Sequence, residues 1–318
     1  MKRTILLLIL TGFYVMQSAC TWFPPAKEPA YTLIKTWGAK GTEFGKFNEP
    51  TGIAVFQNEV FVSDSRNGRI QVFDLDGGFK KQFGTSDNEQ SKLARPMNLS
   101  IAQGKLYVAD YFKDSILVYS LNGKYLHRIG LSGDQPGQFN APGGVAVDQS
   151  GQIYVADFYN QRVQKLTPDG TFIRQWGSTG KAGTFAGKLS YPTAVAVNDK
   201  GWLYIADGYN DRVLLMDVTG ELKTKWGGPF AMNIYGSFNG WFTTVTGITI
   251  GPKGNVFVAD FYNNRVQKFT AEGDFLTRFG IESDTPTHTA IAVSVAQDGS
   301  VFVADYANHQ VQKWQQNE

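Results

Sequence analysis

Acidic and basic side chains recur along this chain as pairs five positions apart. The pairs are Asp64 and Arg69, Asp157 and Arg162, Asp207 and Arg212, and Asp260 and Arg265. A ring of carboxylates could bind a cation or act in acid–base chemistry. Ion-pair networks mimic active sites, however, and one pair repeated at equivalent positions is more simply structural. We therefore interpret the four pairs as ion pairs that hold equivalent turns.

Histidine is the residue type that would carry metal chemistry here, and the chain has three histidines and one cysteine. A catalytic zinc site needs three converging protein ligands. His127 falls on a predicted outer strand, so only His288 and His309, near the start and in a turn of the last repeat, could approach each other. We expect no cofactor and no metal, and His288 and His309 are the candidate ligands if a metal binds.

Composition favours an all-β chain. The 318 residues are 42% hydrophobic and include 35 glycines, 23 phenylalanines and 14 tyrosines, which is typical of short strands joined by tight turns. Lysine and arginine number 30 against 28 acidic residues, and removal of residues 1–19, which hold Lys2 and Arg3 and no acid, leaves 28 against 28. A neutral chain argues against DNA or RNA as the partner.

The first residues are typical of an export signal. Lys2 and Arg3 precede an apolar run that ends in Ser18, Ala19 and Cys20. This ending resembles the lipobox of bacterial lipoproteins, although Gln17 stands where the family prefers an aliphatic residue. The resemblance implies a signal peptide over residues 1–19 and lipidation of Cys20; an ordinary cleaved signal is the alternative.

Residues 20–30 contain three prolines and predict an extended tether of about 3 Å per residue. With a lipid on Cys20, the protein would be held on a membrane surface of the bacterial cell envelope, outside the cytoplasm. The rest of the chain, residues 31–318, would form one domain.

A repeat of about 50 residues organises that domain. Its marker aspartates are Asp64, Asp110, Asp157, Asp207, Asp260 and Asp305. One period reads as four short strands, 145–147, 153–156, 162–166 and 172–176, separated by turns rich in Gly, Asn and Asp. Six such sheets protect their edges best by radial closure, so we predict a six-bladed β-propeller of four-stranded antiparallel blades.

The ends of the chain are complementary. Residues 31–38 match the outer strand at 170–177, whereas the last repeat stops after its third strand. We therefore expect residues 31–37 to complete the last blade and close the ring.

The repeat motifs resemble those of NHL-repeat propellers over essentially the whole domain. The motifs are Pro-Thr-Gly-Ile-Ala-Val at 50–55, Gly-Gln-Phe-Asn-x-Pro at 137–142, and Asp-x-x-Asn-x-Arg-Val-x-Lys from Asp157 and Asp260. Lys113 and Ser115 in the second blade, and Gln310 in the sixth, depart from the pattern. The resemblance implies the six-bladed fold without deciding a function.

Aromatic residues dominate the turns between second and third strands, which open on the face where propellers generally bind ligands. With the long connection before blade 5, the candidate contact residues are Arg66, Tyr111, Phe112, Phe158, Tyr159, Tyr209, Trp241, Phe242, Phe261, Tyr262 and Tyr306. Such side chains suit recognition, but they could equally pack on neighbouring blades.

We predict a non-catalytic binding scaffold for a protein, peptide or cell-wall glycan in the envelope. The alternative is a metal-dependent lyase or lactonase that uses the central funnel. An RNA-binding role would need a cytoplasmic address and a basic face.

Overall fold

A computed structural model describes residues 23–184, 187–280 and 290–318. The predicted signal peptide, Cys20 and His288 lie outside these residues. The chain forms six four-stranded antiparallel sheets arranged as the blades of a propeller, which confirms the predicted fold.

Each blade is a meander of an inner, a second, a third and an outer strand. The first strand of the chain is β1 (Tyr31–Trp37). Blade 1 holds β2 (Pro50–Phe56), β3 (Glu59–Asp64), β4 (Arg69–Asp74) and β5 (Phe79–Phe83). Blade 2 holds β6 (Pro96–Ala102), β7 (Lys105–Asp110), β8 (Ser115–Ser120) and β9 (Tyr125–Ile129), and is followed by the short parallel pair β10 (Leu131–Ser132) and β11 (Gln138–Phe139).

The remaining blades repeat this order. Blade 3 holds β12 (Pro142–Val147), β13 (Ile153–Asp157), β14 (Arg162–Leu166) and β15 (Phe172–Gly177). Blade 4 holds β16 (Pro192–Val197), β17 (Leu203–Asp207), β18 (Arg212–Met216) and β19 (Leu222–Gly227). Blade 5 holds β20 (Val245–Ile250), β21 (Val256–Asp260), β22 (Arg265–Phe269) and β23 (Phe275–Gly280), and blade 6 holds β24 (Ala290–Val295), β25 (Val301–Asp305) and β26 (Gln310–Gln316).

Short 3-10 turns link some of these strands, at Ser65–Asn67, Gly208–Asn210, Pro229–Ala231 and Phe261–Asn263. In the part of the chain that the structure describes, no helix has the length and apolar character needed to cross a membrane.

The two ends of the chain meet in blade 6. Strand β1 pairs antiparallel with β26, with Leu33 opposite Trp314 and Trp37 opposite Val311, and so forms the outer strand of that blade. The predicted closure by residues 31–37 is confirmed.

Apolar contacts between neighbouring blades form the core. Second strands are buried along their whole length, as in β13, because a neighbouring blade covers each face of the sheet. One core cluster joins Tyr204 and Val213 of blade 4 to Val258 and Phe269 of blade 5, and comparable clusters join the other neighbours. Outer strands such as β15 are largely exposed on the perimeter.

The inner strands surround a central channel of about 690 Å³. Neighbouring inner strands approach so closely at their upper ends that a Cβ added to Gly144 would lie 2.8 Å from the Cα of Ala194 in the next blade. Gly247 has the same relation to Ala292, also at 2.8 Å. Small residues at these positions therefore permit closure of the ring, since no larger side chain would fit between the strands.

The described part of the segment before β1 contacts the outer strand of blade 5. The backbone N–H groups of Lys27 and Glu28 donate to the Leu276 carbonyl on the outer strand of blade 5, at 2.7 and 3.2 Å. The Glu28 carboxylate also pairs with the buried Lys268 ammonium. Residues 24–29 therefore lie against the perimeter of the propeller, because blade 5 offers unpaired carbonyl and ammonium partners there.

Candidate functional site

The four predicted Asp–Arg pairs form ion pairs at equivalent turns between second and third strands. The carboxylates are fully buried. The Nε–Oδ2 distances are 2.6 Å for Arg69 and Asp64, 2.8 Å for Arg162 and Asp157, 2.8 Å for Arg212 and Asp207, and 2.7 Å for Arg265 and Asp260. A buried and paired carboxylate does not face a ligand, so the geometry supports a structural role for all four.

Each carboxylate is the centre of a network that reaches beyond its own turn. Asp260 accepts hydrogen bonds from the Thr243 N–H at 2.7 Å, from the Asn263 side chain and from Arg265. The Arg265 guanidinium then donates to the carbonyls of Phe238 and Trp241 at 2.8 and 2.9 Å. The network thereby ties the turn to the connection that enters the same blade.

Blades 2 and 6 build the same network without arginine. Asp110 accepts from the backbone N–H groups of Ala94, Arg95 and Lys113, and burial raises the pKa of this carboxyl. Asp305 accepts from the neutral side chains of Asn308, Gln310 and Gln312. The departures at Ser115 and Gln310 therefore remove a cation while the turn persists.

A continuous group of aromatic rings lies on the turns held by these networks and on the connection before β16, and we call it the aromatic sector of the funnel mouth. Its members are Tyr111, Phe158, Tyr159, Tyr191 and Tyr209. The Tyr111 hydroxyl donates to the Tyr159 hydroxyl at 2.8 Å. Ring centroids lie 5.0 Å apart for Phe158 and Tyr191 and 4.9 Å apart for Tyr191 and Tyr209. Three neighbouring blades thus present one surface of mutually packed rings.

These rings combine mutual packing with exposure. Tyr159 is 47% and Tyr209 is 53% exposed, and Tyr262 on blade 5 is 47% exposed. Burial and the hydrogen bond that it donates to Tyr159 raise the pKa of Tyr111, and burial raises the pKa of Tyr209. The hydroxyl groups of Tyr111 and Tyr209 therefore stay protonated at neutral pH and can donate and accept hydrogen bonds.

Across the mouth from blades 3 and 4 lies an ionic sector, formed by Glu49, Arg66, Arg95 and Tyr306. Arg66 Nε lies 2.5 Å and Arg95 Nη2 lies 3.6 Å from the Glu49 carboxylate. Burial opposes ionisation of Glu49, but hydrogen bonds from Arg66 and Tyr306 and the charges of both arginines lower its pKa. Two guanidinium groups share one carboxylate, so this sector carries a net positive charge.

Arg95 connects the two sectors. Its guanidinium carbon lies 5.8 Å from the ring centroid of Tyr111 and 5.4 Å from that of Phe112, distances at which a cation is attracted to an aromatic face. Phe261 on blade 5 lies beside the ionic sector, with its ring centroid 6.0 Å from that of Tyr306. The mouth therefore offers stacking surfaces and guanidinium groups side by side.

Three mouth residues, Glu49, Arg95 and Tyr191, were not among the sequence candidates. Each directly precedes the proline that opens an inner strand, the position of x in the Asn-x-Pro motif of blade 1, although Ala94 and Ser190 replace the Asn before Arg95 and Tyr191. Glu49 and Tyr191 have positive φ values of 55° and 50°, a backbone conformation that turns the side chain away from the strand direction. The position directly before the first proline of each inner strand was the sequence signal that could have identified these three residues.

Phe242 does not belong to the mouth, which corrects its assignment as a contact residue. Its side chain is fully buried, with its ring 5.7 Å from that of Phe269. The motif at residues 240–242 aligns Phe242 with the buried Phe47 and Phe139, so the repeat register places it in the core. Trp241 lies outside the mouth, with its ring 5.2 Å from that of Phe238.

His309 has a structural partner. Its Nδ1 accepts the backbone N–H of Glu49 at 3.0 Å, across the junction between the last blade and the first. Side chains at equivalent positions accept equivalent N–H groups between other blades: Asp114 from Ala141, Gln161 from Tyr191, and Asp211 from Thr244. Among the described residues, no three His, Cys, Asp or Glu side chains lie together as metal ligands would.

A sequence model of the NHL repeat matches residues 47–73, 139–166, 242–269 and 289–314. Four of the six blades carry NHL repeats. They are blades 1, 3, 5 and 6, and the first three matches begin at the buried phenylalanines Phe47, Phe139 and Phe242. The NHL resemblance predicted from the motifs is confirmed.

Relatives of known name share parts of the sequence or the fold. The protein brain tumor of Drosophila melanogaster is 41% identical over 70 residues, which cover 21% of this chain and 7% of that protein. A streptogramin B lyase structure has a TM-score of 0.62 at 17% identity, covering 90% of this chain and 98% of that one. A virginiamycin B lyase from Staphylococcus aureus has a TM-score of 0.59 at 15% identity, covering 90% and 100%. At these identities the structural likeness shows the fold alone.

Proposed function

We propose that this NHL-repeat propeller is a binding scaffold that recognises a protein, a peptide or a cell-wall glycan at its funnel mouth without transforming it. The observation that carries the proposal is the aromatic sector, in which packed rings on three blades expose tyrosine faces and neutral hydroxyl groups. Rings already fixed by their neighbours lose little conformational entropy when a ligand stacks on them.

The ionic sector favours a ligand that carries an anionic group. Arg66 is half exposed and Arg95 lies beside the aromatic rings, so a carboxylate on a peptide or on a cell-wall fragment could pair with a guanidinium group while its apolar part stacks on Tyr111. The carboxylates of the turn networks are buried and saturated with hydrogen bonds, so they do not compete for such a ligand.

Replacement of Tyr159, Tyr209 and Tyr262 together by alanine should weaken binding by about 100-fold or more, because truncation of an aromatic contact at a binding hot spot removes about 1 kcal/mol or more. The measurement is retention on purified cell-wall sacculi and on an immobilised random peptide library. Urea denaturation should show that the fold persists, since all three side chains are exposed.

The matched control replaces Leu126, Ile173 and Leu222, which are exposed on outer strands, by alanine. This control should bind as the wild type does. Equal retention of the tyrosine variant and the wild type on both matrices would remove the proposal.

The metal-dependent lyase or lactonase stays a prediction from the sequence. His288 lies outside the described residues, and the Nδ1 atom of His309 is engaged with the Glu49 N–H.

We also propose that the propeller is held on a membrane surface of the bacterial cell envelope by a lipid on Cys20. The support is the sequence of residues 1–20, with its basic start, apolar run and Ser-Ala-Cys ending. Metabolic labelling with a fatty acid should mark the wild type and not the Cys20→Ser variant, and equal labelling of the two would contradict this address.

A further inference from the structure

The connection between β19 and β20 concentrates exposed apolar side chains at one place on the rim of the propeller. Together with the first described residue they form an apolar patch. Its members and their exposed fractions are Phe23 45%, Phe230 72%, Ile234 44%, Tyr235 69% and Phe238 51%. Large contiguous apolar surfaces of this kind mark contact sites for proteins or membranes.

Charge is absent from this stretch of sequence. No Lys, Arg, Asp or Glu occurs between Lys225 and Lys253, whereas each of the other five connections between blades contains at least one charged residue. An aqueous loop gains solubility from charged side chains, and a segment that enters a bilayer interface is destabilised by them. The composition of this connection favours a lipid surface.

The backbone of the connection is held in place by the propeller. Arg265 donates to the carbonyls of Ser237, Phe238 and Trp241, and Arg212 Nη1 donates to the Ala231 carbonyl at 3.2 Å. These bonds satisfy backbone acceptors that would otherwise need water. A loop whose carbonyl groups are paired internally can enter the interface at lower desolvation cost.

The N-terminal segment leaves the propeller from the same patch. The Phe23 ring lies 4.5 Å from the ring of Phe238 and 5.7 Å from that of Trp241, and Asn239 donates to the Pro24 carbonyl at 2.9 Å. Residues 1–22 therefore join the described chain beside these aromatic side chains.

The reach of that segment fixes the distance to a bilayer. Thr21 and Trp22 are the only residues between Cys20 and Phe23, so an acyl group on Cys20 would hold the lipid surface within about 11 Å of the patch. This distance rests on the proposed lipidation of Cys20, which would keep the patch within reach of the membrane surface.

We propose that the apolar patch of the connection before blade 5 is a second membrane contact, with its aromatic and aliphatic side chains seated in the lipid headgroup region. Aromatic side chains with a polar tip, such as Tyr235, are favoured at this depth. Two attachments fix the tilt of the propeller, whereas a single N-terminal attachment leaves it free to rotate. The patch is separate from the aromatic sector, and it does not depend on what the mouth binds.

The test places an environment-sensitive nitrobenzoxadiazole label at Tyr235→Cys in the chain of residues 20–318 with Cys20 acylated, so that the new thiol is the only free one. The lipidated chain is reconstituted into phosphatidylethanolamine and phosphatidylglycerol vesicles. The emission of the label should shift to the blue and rise several-fold relative to its emission in buffer without vesicles. Lipids with a spin label near the headgroup should quench this emission.

A label at Phe44→Cys is the matched control, because Phe44 is 67% exposed on the equivalent connection before blade 1. It should keep the emission of a water-exposed label. A water-exposed signal at position 235 would overturn the proposal. So would a blue shift that appears without vesicles and grows with protein concentration, which would assign the patch to a second copy of the chain. The alanine variant of Tyr159, Tyr209 and Tyr262 should leave the signal unchanged, so this proposal and the proposed function fail separately.

Discussion

Deletion of residues 31–37 should abolish the cooperative unfolding transition of the propeller. These residues form β1, which supplies the outer strand of blade 6 and pairs with β26 at six Cα positions. Without β1, blade 6 has three strands and an open edge at β26. The variant also loses the strand that lies in blade 6 and leads directly into blade 1.

The side chains of β1 also bridge blade 6 to both of its neighbours. Tyr31 is buried, with its ring 4.3 Å from that of Phe279 in blade 5. The ring centroid of Trp37 lies 6.1 Å from that of Phe73 in blade 1. Loss of the backbone bonds and of this burial should lower the free energy of unfolding by about 5–8 kcal/mol, at roughly 1 kcal/mol per hydrogen bond and 2 kcal/mol for Tyr31. That is comparable with the whole stability of a typical domain.

Urea denaturation followed by tryptophan fluorescence measures this effect. The control variant replaces Leu33 and Ile34, two exposed residues of the same strand, by threonine. Threonine is also favoured in strands, so this variant should retain nearly wild-type stability. Addition of a synthetic peptide of residues 29–39 should restore the transition of the deletion variant. A deletion variant with the wild-type midpoint would show that β1 does not close the ring.

The Asp260→Ala variant should lose about 3–5 kcal/mol of stability, the typical effect of removing one partner of a buried ion pair. Asp260 is fully buried and Arg265 is nearly so. The substitution leaves the guanidinium without its counter-ion and the Thr243 N–H without an acceptor, and the Asn263 side chain keeps only the Gly236 carbonyl as acceptor.

Blade 6 supplies the comparison for this prediction. Asp305 accepts from the neutral side chains of Asn308, Gln310 and Gln312, so Asp305→Ala leaves no buried charge. Its loss should be smaller, about 1–3 kcal/mol, the penalty for unsatisfied neutral groups. Midpoints and slopes of urea unfolding would give both values.

A double variant separates charge from turn geometry. If the unpaired Arg265 guanidinium causes most of the loss, adding Arg265→Leu to Asp260→Ala should recover part of the stability. Equal losses for the Asp260 and Asp305 variants would instead assign the role of these aspartates to the turn alone.

Repetition explains why so much of the fold was predictable. The six marker aspartates set the period, and each second strand is buried on both faces, so its apolar run and its aspartate recur in every blade. The assignment of Phe242 to the mouth was wrong because it was based on an unusual loop, although its place in the repeat motif marks it as core.

The funnel mouth was predictable only in part. The aromatic residues of the turns were visible because the turns are marked by Asp and Asn, whereas Glu49, Arg95 and Tyr191 come from variable positions of another motif. Tyr191 meets Tyr209 of its own blade and Phe158 of the neighbouring blade, and a contact between blades has no signature within a single repeat.

The amino-acid sequence by itself determined the six blades, the strand order within each and the pairing of the chain ends, because hydrophobic periodicity and turn residues act locally and repeat. Only the tertiary structure decided which side chains share a surface. The packing of the folded chain brings Arg66 to Glu49, Tyr111 to Tyr159, and Phe23 to Phe238, pairs separated by between 17 and 215 residues. The reason is physical: these contacts follow from the angle and distance between packed blades, which all the interblade cores set together.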